Sequence, residues 1–249
     1  TGLNEAFIIN SNIELNEHIK PIYEGKEIHK WVTLPPSQKL ILFKSKWTKE
    51  KYGNDVTEKD ALEFLKRDFP NYIELLLPFQ EQAKKRFDKG DFWWELRNCA
   101  YYNLFEKSKI IFPNLQNKNK FCFDEEGTFI NAPAVFLPSE NKALIAILNS
   151  KLVWYFLKSI CVVRSGGYIE VKPQYFEQIP IPVINEKFQE VLSEKADIML
   201  SKNKELQTIK ANVIKLLESR YAGININTKL NNWNELSYKD FCKELEKQK

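Results

Sequence analysis

A chain of 249 residues, 43% hydrophobic and 13% aromatic, can bury the core of one large domain or of one domain with an appendage. It contains no window of about 18 apolar residues, which argues against a membrane span. Its net charge of +4 selects no partner, and its four scattered cysteines (Cys99, Cys122, Cys161, Cys242) form no C-x-x-C pair and have neither His18 nor His29 nearby. This argues against a zinc site or disulfide framework and fits buried thiols in a reducing cytoplasm better.

The first residues, Thr1-Gly2-Leu3-Asn4-Glu5, carry neither a starting Met nor a basic stretch ahead of an apolar one. They read as the interior of a longer protein, not as a signal peptide. Residues 1–47 read as short strands and turns. Residues 6–9 are apolar and strand-like, bounded by Asn10-Ser11-Asn12. Residues 19–23 lead into a turn at 24–27, and residues 40–43 form a second strand after the Pro35-Pro36 break.

Residues 57–87 have a helical pattern. Thr57 with Asp60 three positions on is a capping signature. Ala61, Leu62, Phe64 and Leu65 follow at helical spacing. After Pro70 the apolar side is Leu75, Leu76, Phe79, Ala83 and Phe87, with Lys84, Lys85 and Arg86 on a solvated face and Gly90 as the C-terminal cap. Strands are expected at 109–113, 120–124 and 129–137. Residues 141–158 read as one helix with Leu144, Ile147, Leu148, Leu152, Phe156 and Leu157 inward.

Residues 186–221 read as one long helix. Leu192, Met199, Leu206 and Val213 recur every seven residues, Phe188, Ile209 and Leu216 form an alternate seam, and Lys195 and Lys202 interrupt the repeat. Such a seam packs along a partner helix or against its own domain. Residues 233–245 form a small terminal cap. The fold class is α+β, in three parts: 1–185, a long helix at 186–222 and a helical cap at 223–249.

Charge is uneven along the chain. From Glu81 to Lys120, nine basic residues oppose five acidic ones, so the whole excess lies there. A basic field attracts polyanions, although a solvated helix face is the plainer reading. Residues 164–182, Arg-Ser-Gly-Gly-Tyr-Ile-Glu-Val-Lys-Pro-Gln-Tyr-Phe-Glu-Gln-Ile-Pro-Ile-Pro, are the most informative run. Gly166 and Gly167 permit a tight turn or close backbone approach. Arg164, Lys172 and Gln174 are donor types that read phosphates and base edges. A polar, glycine-hinged loop closed by a proline stop points to nucleic-acid recognition.

Catalytic signatures are missing. The chain has no G-x-G-x-x-G, P-loop or G-x-S-x-G, and neither histidine has a triad context. Glu170-Val171-Lys172 spells half of a nuclease E-x-K site, but its nearest upstream aspartate is Asp124. Pro35-Pro36, between Leu34 and Ser37, lacks the amide and the aromatic ring with which adenine methyltransferases hold an extruded base.

Several blocks together carry a family likeness. They are residues 1–9, Ile19-Lys20-Pro21 with Gly25-Lys26-Glu27-Ile28, Gly90-Asp91-Phe92-Trp93-Trp94-Glu95-Leu96-Arg97, residues 105–113, residues 146–152 and residues 166–182. In collinear order over residues 1–185 they resemble the TaqI-like C-terminal specificity domain, or target recognition domain, of type IIG restriction–modification enzymes and adenine-specific DNA methyltransferases. Lys26 stands where that family more often has Arg.

The resemblance implies a mixed-sheet, non-catalytic module that reads double-stranded DNA in a bacterial cytoplasm, away from membranes. In the family it faces an S-adenosylmethionine-dependent methyltransferase domain of the same chain, which flips an adenine. This fragment would hold no cofactor of its own; S-adenosylmethionine, and Mg where the parent also cleaves DNA, belong to the rest of the parent. Residues 186–221 are similar to the spacer helices of type I specificity subunits, so a docking module with little DNA affinity, or half of a type I-like subunit, is the alternative.

The DNA-contact candidates are Arg164, Ser165, Gly166, Gly167, Tyr168, Lys172, Gln174 and Tyr175, with Trp93, Trp94, Arg97 and Lys109. Arg164 or Gln174 would read a base edge, Lys172 would anchor a phosphate, and at least one of the two tryptophans is expected in the core.

Overall fold

The computed structural model describes residues 2–10 and 12–248. Thr1, Lys249 and Ser11, the centre of the expected 10–12 break, lie outside the described residues. The fold is α+β, and the chain divides into two compact units, Thr1–Asn141 with Ile147–Pro182, and Lys142–Ala146 with Val183–Lys249.

The first unit is built on a mixed four-stranded sheet. Its order is Ile8–Ile9, Gln38–Ile41, Ile19–Tyr23, Phe129–Ile130; the first three run antiparallel and the last is parallel to Ile19–Tyr23. Helices Glu58–Asp68 and Pro70–Leu76 contribute Ala61, Leu65, Ile73 and Leu76 to one apolar cluster with Phe7, Ile19, Ile41, Phe43, Trp93 and Trp94. Thr57 caps the first helix through its Oγ1, which accepts from Asp60 N at 3.2 Å. A second, antiparallel sheet joins Val135–Pro138, Lys109–Phe112 and Cys122–Asp124. A third joins Val162–Val163, Ile169–Glu170 and Leu115–Gln116.

In the second unit, helix Glu186–Arg220 is capped by Asn185 Oδ1, which accepts from Phe188 N at 2.9 Å. Asn227 caps Thr228–Asn231 and also donates to Glu244 Oε1 of helix Tyr238–Gln248 at 2.7 Å, around the buried Leu230. Among the described residues, no single helix is long and apolar enough to cross a membrane.

Local expectations are corrected in six places. Residues 4–7 form a helical turn ahead of a two-residue strand. The helix expected to reach residue 87 stops at Lys84, leaving Phe87 fully exposed. Gly90 is therefore no cap. A Cβ there would lie 2.5 Å from Glu95 Oε2 and 3.0 Å from Ser45 Cα, so glycine is needed for close approach.

Arg86 is buried instead of solvated, and its Nη2 donates to the carbonyls of Trp93 and Glu95, each at 2.8 Å. The strand expected at 129–137 is two strands separated by a turn. The helix expected at 141–158 breaks into Lys142–Leu148 and Lys151–Ile160, because Ser150 caps the second piece by accepting from Val153 N at 3.1 Å; Leu152 is consequently exposed.

Candidate nucleic-acid interface

Residues 162–170 form a β-hairpin, pairing Val162 with Glu170 and Val163 with Ile169. Five residues, Arg164, Ser165, Gly166, Gly167 and Tyr168, make its tip, and all five are exposed. Arg164 N donates to Tyr168 O at 2.7 Å to close the turn. Gly166 and Gly167 both have left-handed φ, 73° and 76°, which a side chain would strain. The glycine pair is thus a structural requirement of the hairpin. Ile169 anchors the base of the hairpin in the interior and pairs with the buried Gln116.

Glu170 organises the charges around the tip. Its Oε2 accepts from Arg164 Nε at 3.1 Å and from Nη2 at 2.6 Å. Its Oε1 lies 3.3 Å from Lys172 Nζ and 3.4 Å from Asn114 Nδ2. The Arg164 hydrogen bond, with Lys172 behind it and burial opposing, holds the Glu170 carboxyl below the usual carboxylate range. The folded-state value is depressed, so the clamp is complete at neutral pH and is lost only as pH falls through that lowered value. Arg164 Nη1 has no hydrogen bond among the described residues, so the guanidinium is aimed while keeping donors to offer. Glu170 and Lys172, the E-x-K pair of the sequence, therefore meet in an ion pair.

The other candidates divide. Gln174 is exposed on the short helix Pro173–Phe176, which starts with Pro173 after Lys172. Tyr175 is half-buried, and Phe176 stacks on Phe112 with centroids 4.7 Å apart. Arg97 is exposed in a separate loop.

Three candidates are corrected. Trp93 and Trp94 are both in the core, 1% and 0% exposed, crossed edge to face at 5.2 Å. Lys109, expected at a phosphate, is fully buried and ion-paired with Asp124, its Nζ also donating to Phe105 O at 2.5 Å. Their apolar or charge-paired surroundings leave no face for DNA. Among the described residues, no group of three or more His, Cys, Asp and Glu is arranged to hold a metal.

The hairpin is thus an exposed, glycine-tipped ribbon with oriented donors, carried on an α+β unit. The model of the TaqI-like C-terminal specificity domain matches residues 20–181, and a model of a domain of unknown function matches residues 185–249. The chain belongs to the TaqI-like C-terminal specificity domain family. No curated protein matches the sequence. Among solved structures, the type IIL restriction–modification enzyme MmeI in complex with DNA is similar at 10% identity and a TM-score of 0.47. That similarity covers 98% of this chain, which spans 30% of the length of the MmeI chain.

Proposed function

We propose that residues 1–185 read a specific sequence in double-stranded DNA and direct a separate S-adenosylmethionine-dependent adenine methyltransferase domain of the same protein to it. The protein would be a type IIG restriction–modification enzyme or an adenine-specific DNA methyltransferase of a bacterial cytoplasm, and this part of it would perform no catalysis. Membership of the specificity-domain family supports DNA recognition. The exposed hairpin tip held by Glu170 is the observation that carries the assignment to residues. A two-stranded ribbon fits the major groove of B-DNA, where an arginine can pair with guanine and a glutamine with adenine. Arg164 and Gln174 would take those roles, Lys172 would hold a phosphate, and Ser165, Tyr168, Tyr175 and Arg97 would line the contact.

The test is methylation mapping in cells carrying the full-length protein, wild type against Arg164→Ala with Gln174→Ala. Each lost bidentate contact removes about 1–3 kcal/mol of discrimination, roughly 5- to 150-fold at that base. One methylated motif should relax or disappear while the variant stays folded. An unchanged motif at an unchanged level would refute base readout by this hairpin.

A second role, docking, is favoured by the long helix. Phe188, Val191, Ile198, Met199, Ile209 and Leu216 are all exposed. At about 100° per residue they fall within an arc of roughly 100° on one face. We propose that residues 186–222 dock the methyltransferase domain through this stripe, with 223–249 as its cap. Phe188→Ser with Ile209→Ser should then lower methylation at every site without altering the motif; full methylation by that variant would remove the docking role.

A further inference from the structure

Four lysines from three separate segments of the chain are gathered around one loop. Residues 117–120 continue directly from the Leu115–Gln116 strand that pairs with the recognition hairpin. Gln116 Oε1 accepts from Lys120 N at 2.9 Å, folding this loop back on its strand. Asn119 Nδ2 donates to Leu148 O at 3.0 Å and to Ser150 O at 2.7 Å, which brings Lys118 and Lys120 beside Lys151. Trp31 N donates to Phe121 O at 3.1 Å, which brings Lys30 to the same place.

Lys30 and Trp31 form the two-residue turn between Ile28–His29 and Val32–Thr33, with Trp31 at a left-handed φ of 70°. The left-handed φ of Trp31 is unusual for a bulky residue and is fixed by its burial and by its hydrogen bond to Phe121 O, which leaves Lys30 in the turn. Lys151 opens helix Lys151–Ile160, the wrong end of a helix for a cation.

No ion pair with a carboxylate neutralises any of the four among the described residues. Lys118 and Lys151 are exposed, while Lys30 and Lys120 are half-buried. Burial, and after it the neighbouring lysines, push the Lys30 and Lys120 ammonium groups below the ordinary lysine value. A concentration of cations that repel one another and are placed against the helix dipole costs stability that a bound polyanion would recover.

We propose that Lys30, Lys118, Lys120 and Lys151 form a phosphate-binding patch that grips the DNA backbone alongside the hairpin. The proposal rests on the DNA-reading function above and adds to it a division of labour. The hairpin reads bases, and the patch, attached through Gln116 to the strand beside it, sets register and supplies sequence-independent affinity. Phosphate neutralisation releases counterions, so each lysine in contact contributes about 0.9 to the slope of log affinity against log salt.

The test titrates the full-length protein with two labelled DNA duplexes, one containing its methylation motif and one lacking it, across a range of NaCl concentrations. The comparison is wild type, Lys30→Ala/Lys118→Ala/Lys151→Ala, and the same three positions changed to Arg. The alanine variant should lose about 2–3 in slope on both duplexes, with the ratio between them unchanged and the melting temperature equal to or above that of the wild type. The arginine variant should keep the wild-type slope. A wild type that binds neither duplex overturns both the DNA-reading function and the patch. A wild type that binds, with an alanine variant of undiminished slope or one that loses only discrimination, overturns the patch alone.

Discussion

Lys109→Ala should lower the unfolding free energy by about 3–5 kcal/mol, read from the midpoint of urea denaturation, because it strands a buried carboxylate. Lys109 and Asp124 face each other on paired strands of the second sheet, with side chains 0% and 3% exposed. The remaining donors and acceptors are also committed: Lys109 Nζ donates to Phe105 O at 2.5 Å, and Asp124 Oδ2 accepts from Thr128 N at 3.2 Å. Removing the ammonium leaves Asp124 charged and desolvated, and that penalty exceeds the worth of the pair itself. Lys109→Met with Asp124→Leu, which removes both charges, should therefore be much more stable than Lys109→Ala. Lys107→Ala, two residues away and exposed, should stay within about 0.5 kcal/mol of wild type. If Lys109→Ala weakens DNA binding without moving the denaturation midpoint, Lys109 belongs on the DNA surface after all.

Residue type is a poor guide to burial where a charge has a partner, and this explains most of what the sequence left unread. The strand at Lys109–Phe112, the Thr57 cap and the long helix are legible because period, cap and turn residues are local signals. Arg86, Glu95 and Lys109 are not: their hydrogen bonds and ion pairs reach across the fold, as from Glu95 to Thr48. A run of basic residues therefore overstated the basic surface. The break between Lys142–Leu148 and Lys151–Ile160 did leave a local signal, since Ser150 is a good N-cap residue ahead of an apolar run.

The candidate site was partly legible for the same reason. Two adjacent glycines announce a tight turn, and the structure gives both of them left-handed φ. The short strands Val162–Val163 and Ile169–Glu170 that turn this loop into a ribbon were not foreseen, because two-residue strands are defined by their partner, here Leu115–Gln116, and not by their own pattern. The lysine patch was invisible in sequence because Lys30 and Lys151 join Lys118 and Lys120 only through hydrogen bonds between segments far apart in the chain, one from the Trp31 backbone and two from the Asn119 side chain.

Glu95→Ala should destabilise the protein by an amount on the order of 3–5 kcal/mol, for a reason that also assigns the role of Trp93 and Trp94. Glu95 is fully buried and is an acceptor only. Its Oε2 accepts from Lys46 N at 3.2 Å, Asp91 N at 2.8 Å and Phe92 N at 3.4 Å, and its Oε1 accepts from Thr48 N at 2.9 Å. One carboxylate thus satisfies backbone groups of two segments, 46–48 and 91–92, and Lys46 in the first holds a left-handed φ of 71°. Thr48 Oγ1 in turn accepts from Trp94 Nε1 at 2.9 Å, and the Arg86 guanidinium lies 4.3 Å from the Phe7 ring centroid. Alanine would leave the N–H groups of the buried Thr48 and Phe92 unpaired, whereas Glu95→Gln keeps one carbonyl acceptor and should lose roughly half as much. Glu95 locks the segment that carries both tryptophans, which are 1% and 0% exposed, so any effect of their substitution on DNA binding is expected to come through folding. Trp94→Phe should accordingly lower the melting temperature and leave the affinity of the folded protein for duplex DNA unchanged. Loss of affinity at an unchanged melting temperature would instead place Trp94 at the DNA surface.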